Sequence, residues 1–112
     1  MIFKPEQLFE VHAKTFESAL AIIKKKNADY GASDDALRNF RFVEQLGIPM
    51  EIGIITRIAD KLARIGKIIT TGKQEVLDET VQDTIVDIIN YLIILKAALQ
   101  EKEANKPLTN FK

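Results

Sequence analysis

Glu79, Asp83, Asp87 and Asn90 recur every three to four residues in the segment ETVQDTIVDIINYLIIL. At about 100° per residue these side chains fall inside roughly one quarter of a helix circumference. The residues around them are aliphatic: Val81, Ile85, Val86, Ile88, Ile89, Leu92, Ile93 and Leu95. Asp is a poor helix former, and a solvated face can use Lys, Glu or Gln instead. Short acids leading into so apolar a helix therefore point to Mg²⁺ and, through it, to phosphate chemistry.

A second set lies upstream. Arg57, Asp60, Lys61, Arg64 and Lys67 share the non-core side of their helix, with Gly53 two turns earlier. Asp60 and Arg64 are one turn apart and can pair. If the two helices pack antiparallel, Asp60 faces Asp83 and Asp87, and a divalent ion then sees carboxylates from both. Lys61 and Arg64 can neutralise phosphate oxygens, with Arg the better bidentate partner. A bound ion lowers the pKa of a water that attacks phosphorus, and Asp83 can act as the base. The competing reading is an ion-pair face: acids at a helix start are favoured by its dipole, and basic residues opposite simply pair with them. Asp87 and Asn90 lie beyond the dipole's reach, in a setting where a carboxylate needs a partner.

A third candidate is the stretch from Lys26 to Gly31. Asn27 offers an amide able to read a base edge, and Tyr30 a ring able to stack on a base. Its plainer reading is a helix stop whose tyrosine packs on the core. Arg38 and Asn39 are weaker candidates. His12 lies on an apolar helix side, as a core or interface histidine does. No glycine-rich phosphate loop and no nucleophilic triad can be read.

These residues need helices to position them. Pro5 suits a first turn, and Leu8, Phe9, Phe16, Ala19, Leu20 and Ile23 give a helix over 5–27. The Lys24–Lys26 run near its end reads as solvated cations favoured by the dipole. Ser33 is the expected cap of a second helix running to Gly47, with Leu37, Phe40, Val43 and Leu46 inward. Pro49 opens a third helix that Gly72 stops. Its expected core face is Ile54, Ile55, Ile58, Leu62, Ile65 and Ile69, beside a small-residue ridge of Ala59, Ala63 and Gly66. The fourth helix starts near Asp78 and runs to about Lys102, with a seam of Val81, Ile85, Ile88, Leu92, Leu95 and Leu99. The fold class is all-α, one domain over 1–104 followed by a tail over 105–112. The apolar arc of the fourth helix exceeds a two-helix seam, so a homo-oligomer, most simply a dimer, is expected.

Composition narrows the function classes. The 112 residues carry 16 basic and 16 acidic side chains, for zero formal charge. No overall basic field exists to hold DNA or an acidic membrane, so direct DNA binding is not expected and any nucleotide contact must come from a local cluster or a metal. The absence of cysteine excludes disulfides and zinc–thiolate sites. The start MIFKPEQLFE carries acids where a leader needs an apolar core, and no apolar run has transmembrane length, so a cytoplasmic location is expected.

Taken in order, KNADYG at 26–31, RIADKLARI at 57–65 and DETVQDTIVDIINYLIIL at 78–95 resemble the nucleotide modification associated domain of the first type, found largely in phages and bacteria. That resemblance implies a role linked to modified nucleotides or DNA bases. A wider similarity is to the all-α nucleoside triphosphate pyrophosphatases of the MazG-like and dimeric dUTPase kind, which implies a four-helix architecture, a dimer and Mg²⁺-dependent release of pyrophosphate. Those enzymes carry Glu-x-x-Glu on one helix. This chain has only Asp60 there, with Asp83 and Asp87 one residue further apart than their second motif, which implies fewer ligands. The matching positions imply Asp60, Asp83 and Asp87 as metal ligands, Lys61 and Arg64 as phosphate contacts, and Asn27, Tyr30 and Asn90 as the nucleotide pocket. The alternative to a nucleotide enzyme is a non-catalytic helical module that binds a partner protein or assembles as a structural oligomer.

Overall fold

Pro5 stands at the first position of α1, Pro5–Asp29, where its missing N–H costs nothing. Lys4 N–H donates to Gln7 Oε1 at 2.8 Å and closes the turn that starts it. The structure, a computed structural model, describes residues 1–29, 33–73 and 80–107. Three more helices follow: α2, Arg38–Arg41, which runs on into a 3-10 turn over Phe42–Leu46; α3, Met50–Thr71; and α4, Val81–Ala104. The described residues contain helices and no strand, so the chain is an all-α helical bundle.

The second helix is shorter than its sequence pattern predicts. Ser33 does not cap it: Ser33 Oγ accepts from Asp35 N–H at 3.0 Å, and Asp35 Oδ1 accepts from Leu37 N–H at 3.0 Å. These side-chain bonds compete with helical ones and hold 33–37 as turns, so the helix begins only at Arg38. Gly47, at φ 80°, ends the 3-10 turn, and Gly72, at φ 70°, ends α3, as expected of left-handed stops. Gly53 has another role. A Cβ there would lie 3.0 Å from a Val43 methyl, so its absence lets the 3-10 turn seat against α3.

α3 and α4 run antiparallel. Glu51 near the start of α3 meets Lys102 near the end of α4 at 2.8 Å, and Lys61 meets Asp87 at 3.1 Å. Between these ties sits the core: Leu37, Met50, Ile54, Ile58 and Ala98, with Phe40, Ile88, Tyr91, Ile94 and Leu95 packed on it. Among the described elements, α1 packs on α4, and α2 packs on α3. The expected core faces are therefore split. Ile54 and Ile58 are buried while Ile55, Leu62 and Ile69 are exposed; on α4, Ile88 and Leu95 turn inward while Ile85, Leu92 and Leu99 do not. Leu8, Phe9, Phe16 and Leu20 of α1 are also exposed, and only Ala19 of that helix is buried. α3 and α4 each carry more apolar surface than the other can cover. No described helix is long and apolar enough to cross a membrane.

One guanidinium ties the connecting segment to the bundle. Arg41 Nε reaches Asp35 Oδ2 at 2.6 Å, and its Nη2 reaches Glu101 Oε2 at 2.6 Å. Second bonds to each carboxylate, at 2.9 and 2.8 Å, make both pairs bidentate. The hydrogen bond from Arg41 holds the carboxyls of Asp35 and Glu101 below their ordinary values of 3.8 and 4.5. Both are depressed, so their stabilising contribution is complete above those values and is lost as the pH falls through the lowered ones. Arg41→Met is expected to lower the melting temperature at neutral pH by several degrees. It should also flatten the fall in melting temperature between about pH 6 and about pH 3, because the linked protonation is gone. Melts followed by circular dichroism across that range check both effects. Parallel curves for the two proteins would refute the linkage.

Candidate functional site

A cleft of about 920 Å³ opens between α1, α2 and α4. Its inner wall is apolar. Phe16, Ala19, Leu20 and Ile23 come from α1, Leu37 and Phe40 from the α2 segment, and Ile93, Ile94 and Ala97 from α4. The helical period explains the α1 contribution: residues 16, 19, 20 and 23 share one face of that helix. Three amides, Asn27, Asn39 and Asn90, join this wall, and Lys24, Lys26, Arg57 and Asp87 stand around it.

Arg57 comes from α3 and lies over two rings. Its guanidinium carbon is 4.9 Å from the Phe40 ring centre and 5.9 Å from that of Tyr91. The rings meet edge to face, 6.3 Å apart at an interplanar angle of 88°. Stacking holds the guanidinium at the cleft with its charge still available to an anion. This trio comes from three separate elements, so no spacing rule joins its members. The available signal is local: Tyr91 and Arg57 each interrupt an aliphatic run.

The carboxylates predicted to share an ion are engaged separately. Asp60 has a side chain 70% exposed and lies 3.8 Å from Arg64, as its spacing implied. Asp83 belongs to a capping box: Thr80 N–H donates to Asp83 Oδ2 at 3.1 Å, and Asp83 N–H donates to Thr80 Oγ at 3.0 Å. Hydrogen bonding to Thr80, through its backbone foremost and then its side chain, holds the Asp83 carboxyl below the ordinary range. Asp87 is the partly buried one. It lies 3.1 Å from Lys61 and 3.8 Å from Lys26. Among the described residues, no three acidic or imidazole side chains come together as a metal cluster. The expected convergence of Asp60, Asp83 and Asp87 is thus replaced by local partners within the helix for two of them and by lysines for the third. Such a donor set does not build a protein-only metal centre. Asp87 alone fits Mg²⁺ only in the way that needs substrate phosphates and water for the remaining ligands.

The other predicted positions divide as follows. Asn27 lines the cleft. So does Asn90, which is buried and donates through Nδ2 to the Ala19 carbonyl at 3.0 Å, fixing α1 to α4. Lys61 reaches the cleft's acid, Asp87, while Arg64 sits beside Asp60. Tyr30 and Glu79 lie outside the described residues. The basic run over 24–26, which reads from sequence as a solvated helix end, places Lys24 and Lys26 at the cleft.

Charge around the cleft is therefore uneven. Among the described residues, Lys24, Lys26 and Arg57 line the cleft with one carboxylate, Asp87, which pairs with Lys26 and with Lys61, on a chain whose charges balance overall. The arrangement suits a ligand with one flat apolar part and one anionic part. No curated protein and no solved structure matches this chain. The sequence profile of nucleotide modification associated domain 1 matches residues 26–99, more than half of the chain, and takes in α2, α3 and most of α4 but only the end of α1. The chain belongs to that family.

Proposed function

We propose that this protein binds a nucleoside phosphate in the cleft, as part of the nucleotide or DNA modification its family is named for. The observation that carries the reading is the joining of an apolar, aromatic wall to a cationic edge in one cleft. The base lies against the wall near Phe40 and Tyr91, where Asn27 and Asn39 offer amides to its edge. The phosphates lie toward Lys26, Lys61 and Arg57. Where Mg²⁺ takes part it would arrive with those phosphates, and Asp87 would be the carboxylate to hold it. When bound, the ion neutralises phosphate charge and activates water. Lys26 and Lys61 orient the phosphate oxygens, and Asp87 sets the spacing between the two lysines.

Asp87→Asn separates the roles of charge and metal. Without Mg²⁺ the variant is expected to bind nucleotide at least as well as the parent, because a competing anion has left the lysines. With Mg²⁺ it is expected to lose the added affinity that the ion gives the parent, about tenfold. Thermal melting with a panel of canonical and modified nucleoside triphosphates reads both, since ligand at about 100 times its Kd adds about 2.7 kcal/mol to stability. Melting temperatures that no nucleotide moves, with or without Mg²⁺, overturn the proposal and favour a helical interaction module. Pyrophosphate release in the same panel, with Mg²⁺ or Mn²⁺, would extend binding to hydrolysis.

A further inference from the structure

The cleft has two unlike ends. α1 and α4 run antiparallel along it, because Lys26 meets Asp87 at 3.8 Å while the Ala19 carbonyl meets Asn90 at 3.0 Å. Moving back along α1 is therefore moving forward along α4. Among the described residues, the charged lining side chains of these two helices, Lys24, Lys26 and Asp87, all stand at one end. Beyond Lys24 on α1 and Tyr91 on α4, their lining side chains are all apolar, from Ile23 back to Phe16 and from Ile93 on to Ala97. Six residues separate Tyr91 from Ala97, about 9 Å of helix at 1.5 Å per residue. Leu37 packs with Ala98 beside this end. Asn39 is the polar side chain that the α2 segment brings to the cleft, next to Phe40 in the chain.

This apolar hollow is open. Phe16, Leu20 and Ile93 stand in a concave wall yet are 42%, 52% and 45% exposed. Exposed apolar surface in a concavity favours a ligand that covers it. What can cover it follows from what stands next to it. The nucleoside phosphate proposed above has its phosphates at Lys26, Lys61 and Arg57 and its base at Phe40 and Tyr91. A common base carries amino and carbonyl groups on its free edge. Pushed on toward Ala97, those groups would lose water and find no partner on either helix. Asn90 is no substitute, because its Nδ2 already donates to the Ala19 carbonyl. An apolar group on that edge has no hydrogen bonds to lose and removes Phe16, Leu20 and Ile93 from water.

We infer, resting on the nucleotide reading, that the ligand is a nucleoside phosphate whose base carries an apolar substituent, aryl or alkyl, directed into the hollow between Phe16 and Ala97. The cationic end selects the phosphates, and the hollow selects the substituted base over the plain one. A polar substituent of the same length is rejected by the same wall.

The test is calorimetric titration of the full chain with two pairs of compounds: adenosine triphosphate with its N6-benzyl derivative, and deoxyuridine triphosphate with its 5-phenylethynyl derivative. In at least one pair the aryl compound is expected to bind about tenfold tighter or more, with a more negative heat-capacity change. Ala97→Leu fills the hollow from its far end and should bring that ratio close to one. Leu20→Asn changes a half-exposed position, so it should fold, and it should lower the ratio about threefold. Circular dichroism confirms that both variants are helical. Equal affinities within both pairs overturn the inference and leave the nucleotide reading standing. Binding of none of the four compounds overturns both. A preference that survives Ala97→Leu and Leu20→Asn also overturns the inference. So does octyl phosphate binding as tightly as the aryl nucleotide, which would assign the hollow to a simple anionic amphiphile.

Discussion

Ile54→Ala is expected to destabilise the fold by about 3–4 kcal/mol, in the middle of the range for emptying a buried aliphatic site. Ile54 is 0% exposed and is the only large side chain so completely enclosed among the described residues. Its neighbours Leu37, Met50, Ile58 and Ala98 come from the α2 segment, α3 and α4, so the cavity lies where three elements meet. With so few buried residues, the surroundings have little material with which to refill it. The melting temperature should drop by about 15 °C. Urea unfolding should show a lower midpoint at an unchanged slope, the mark of lost stability without a changed unfolded state. Ile69→Ala serves as the internal comparison: the same kind of truncation at an exposed position of α3 should cost an isolated chain little. Equal losses at the two sites would mean that the enclosed line is not where this structure puts it.

Arg57→Ala is expected to weaken nucleoside phosphate binding by about 10- to 100-fold, which corresponds to roughly 1.4–2.8 kcal/mol. The guanidinium lies over Phe40 and Tyr91 at the cleft, so its removal takes away a charge and uncovers both rings. The stability cost should be smaller, about 1 kcal/mol, in keeping with an exposed cation–π contact. Arg57→Lys keeps the charge but loses the planar stack, and should fall between the parent and the alanine variant. Calorimetric titration with a nucleoside triphosphate, alongside inorganic triphosphate, checks the assignment. The loss should appear with both if Arg57 meets phosphate. A loss confined to the nucleoside compound would place it beside the base instead.

The helices themselves were legible because their stops are chemical. Pro5, Pro49, Gly47 and Gly72 mark ends by backbone freedom or its lack, and each sits at the end it implies. The segment over 33–37 was not legible, because Ser33 and Asp35 serve equally well as caps or as turn formers. Only the pairing of Asp35 with Arg41, six residues on, decides between them. The period also showed which residues share a side of a helix without showing which sides are filled. Ile54 and Leu62 read alike from sequence, yet one is enclosed and the other open. Asp87 and Asn90, which border the cleft, stand out in the sequence from an aliphatic background. The partners of the acids do not. Asp83 is three residues from Thr80, and that local capping geometry determines where its carboxylate points.

Asn90 carries two duties at once. Its amide nitrogen fastens α1 through the Ala19 carbonyl, and the same side chain borders the space proposed for the ligand. Attachment of the first helix and occupancy of the site are therefore thermodynamically linked. A molecule seated there braces a helix that otherwise leans on α4, and any excursion of that helix is a route by which the molecule leaves. The lifetime of the complex and the rigidity of the N-terminal third of the protein are, on this architecture, one property seen from two directions.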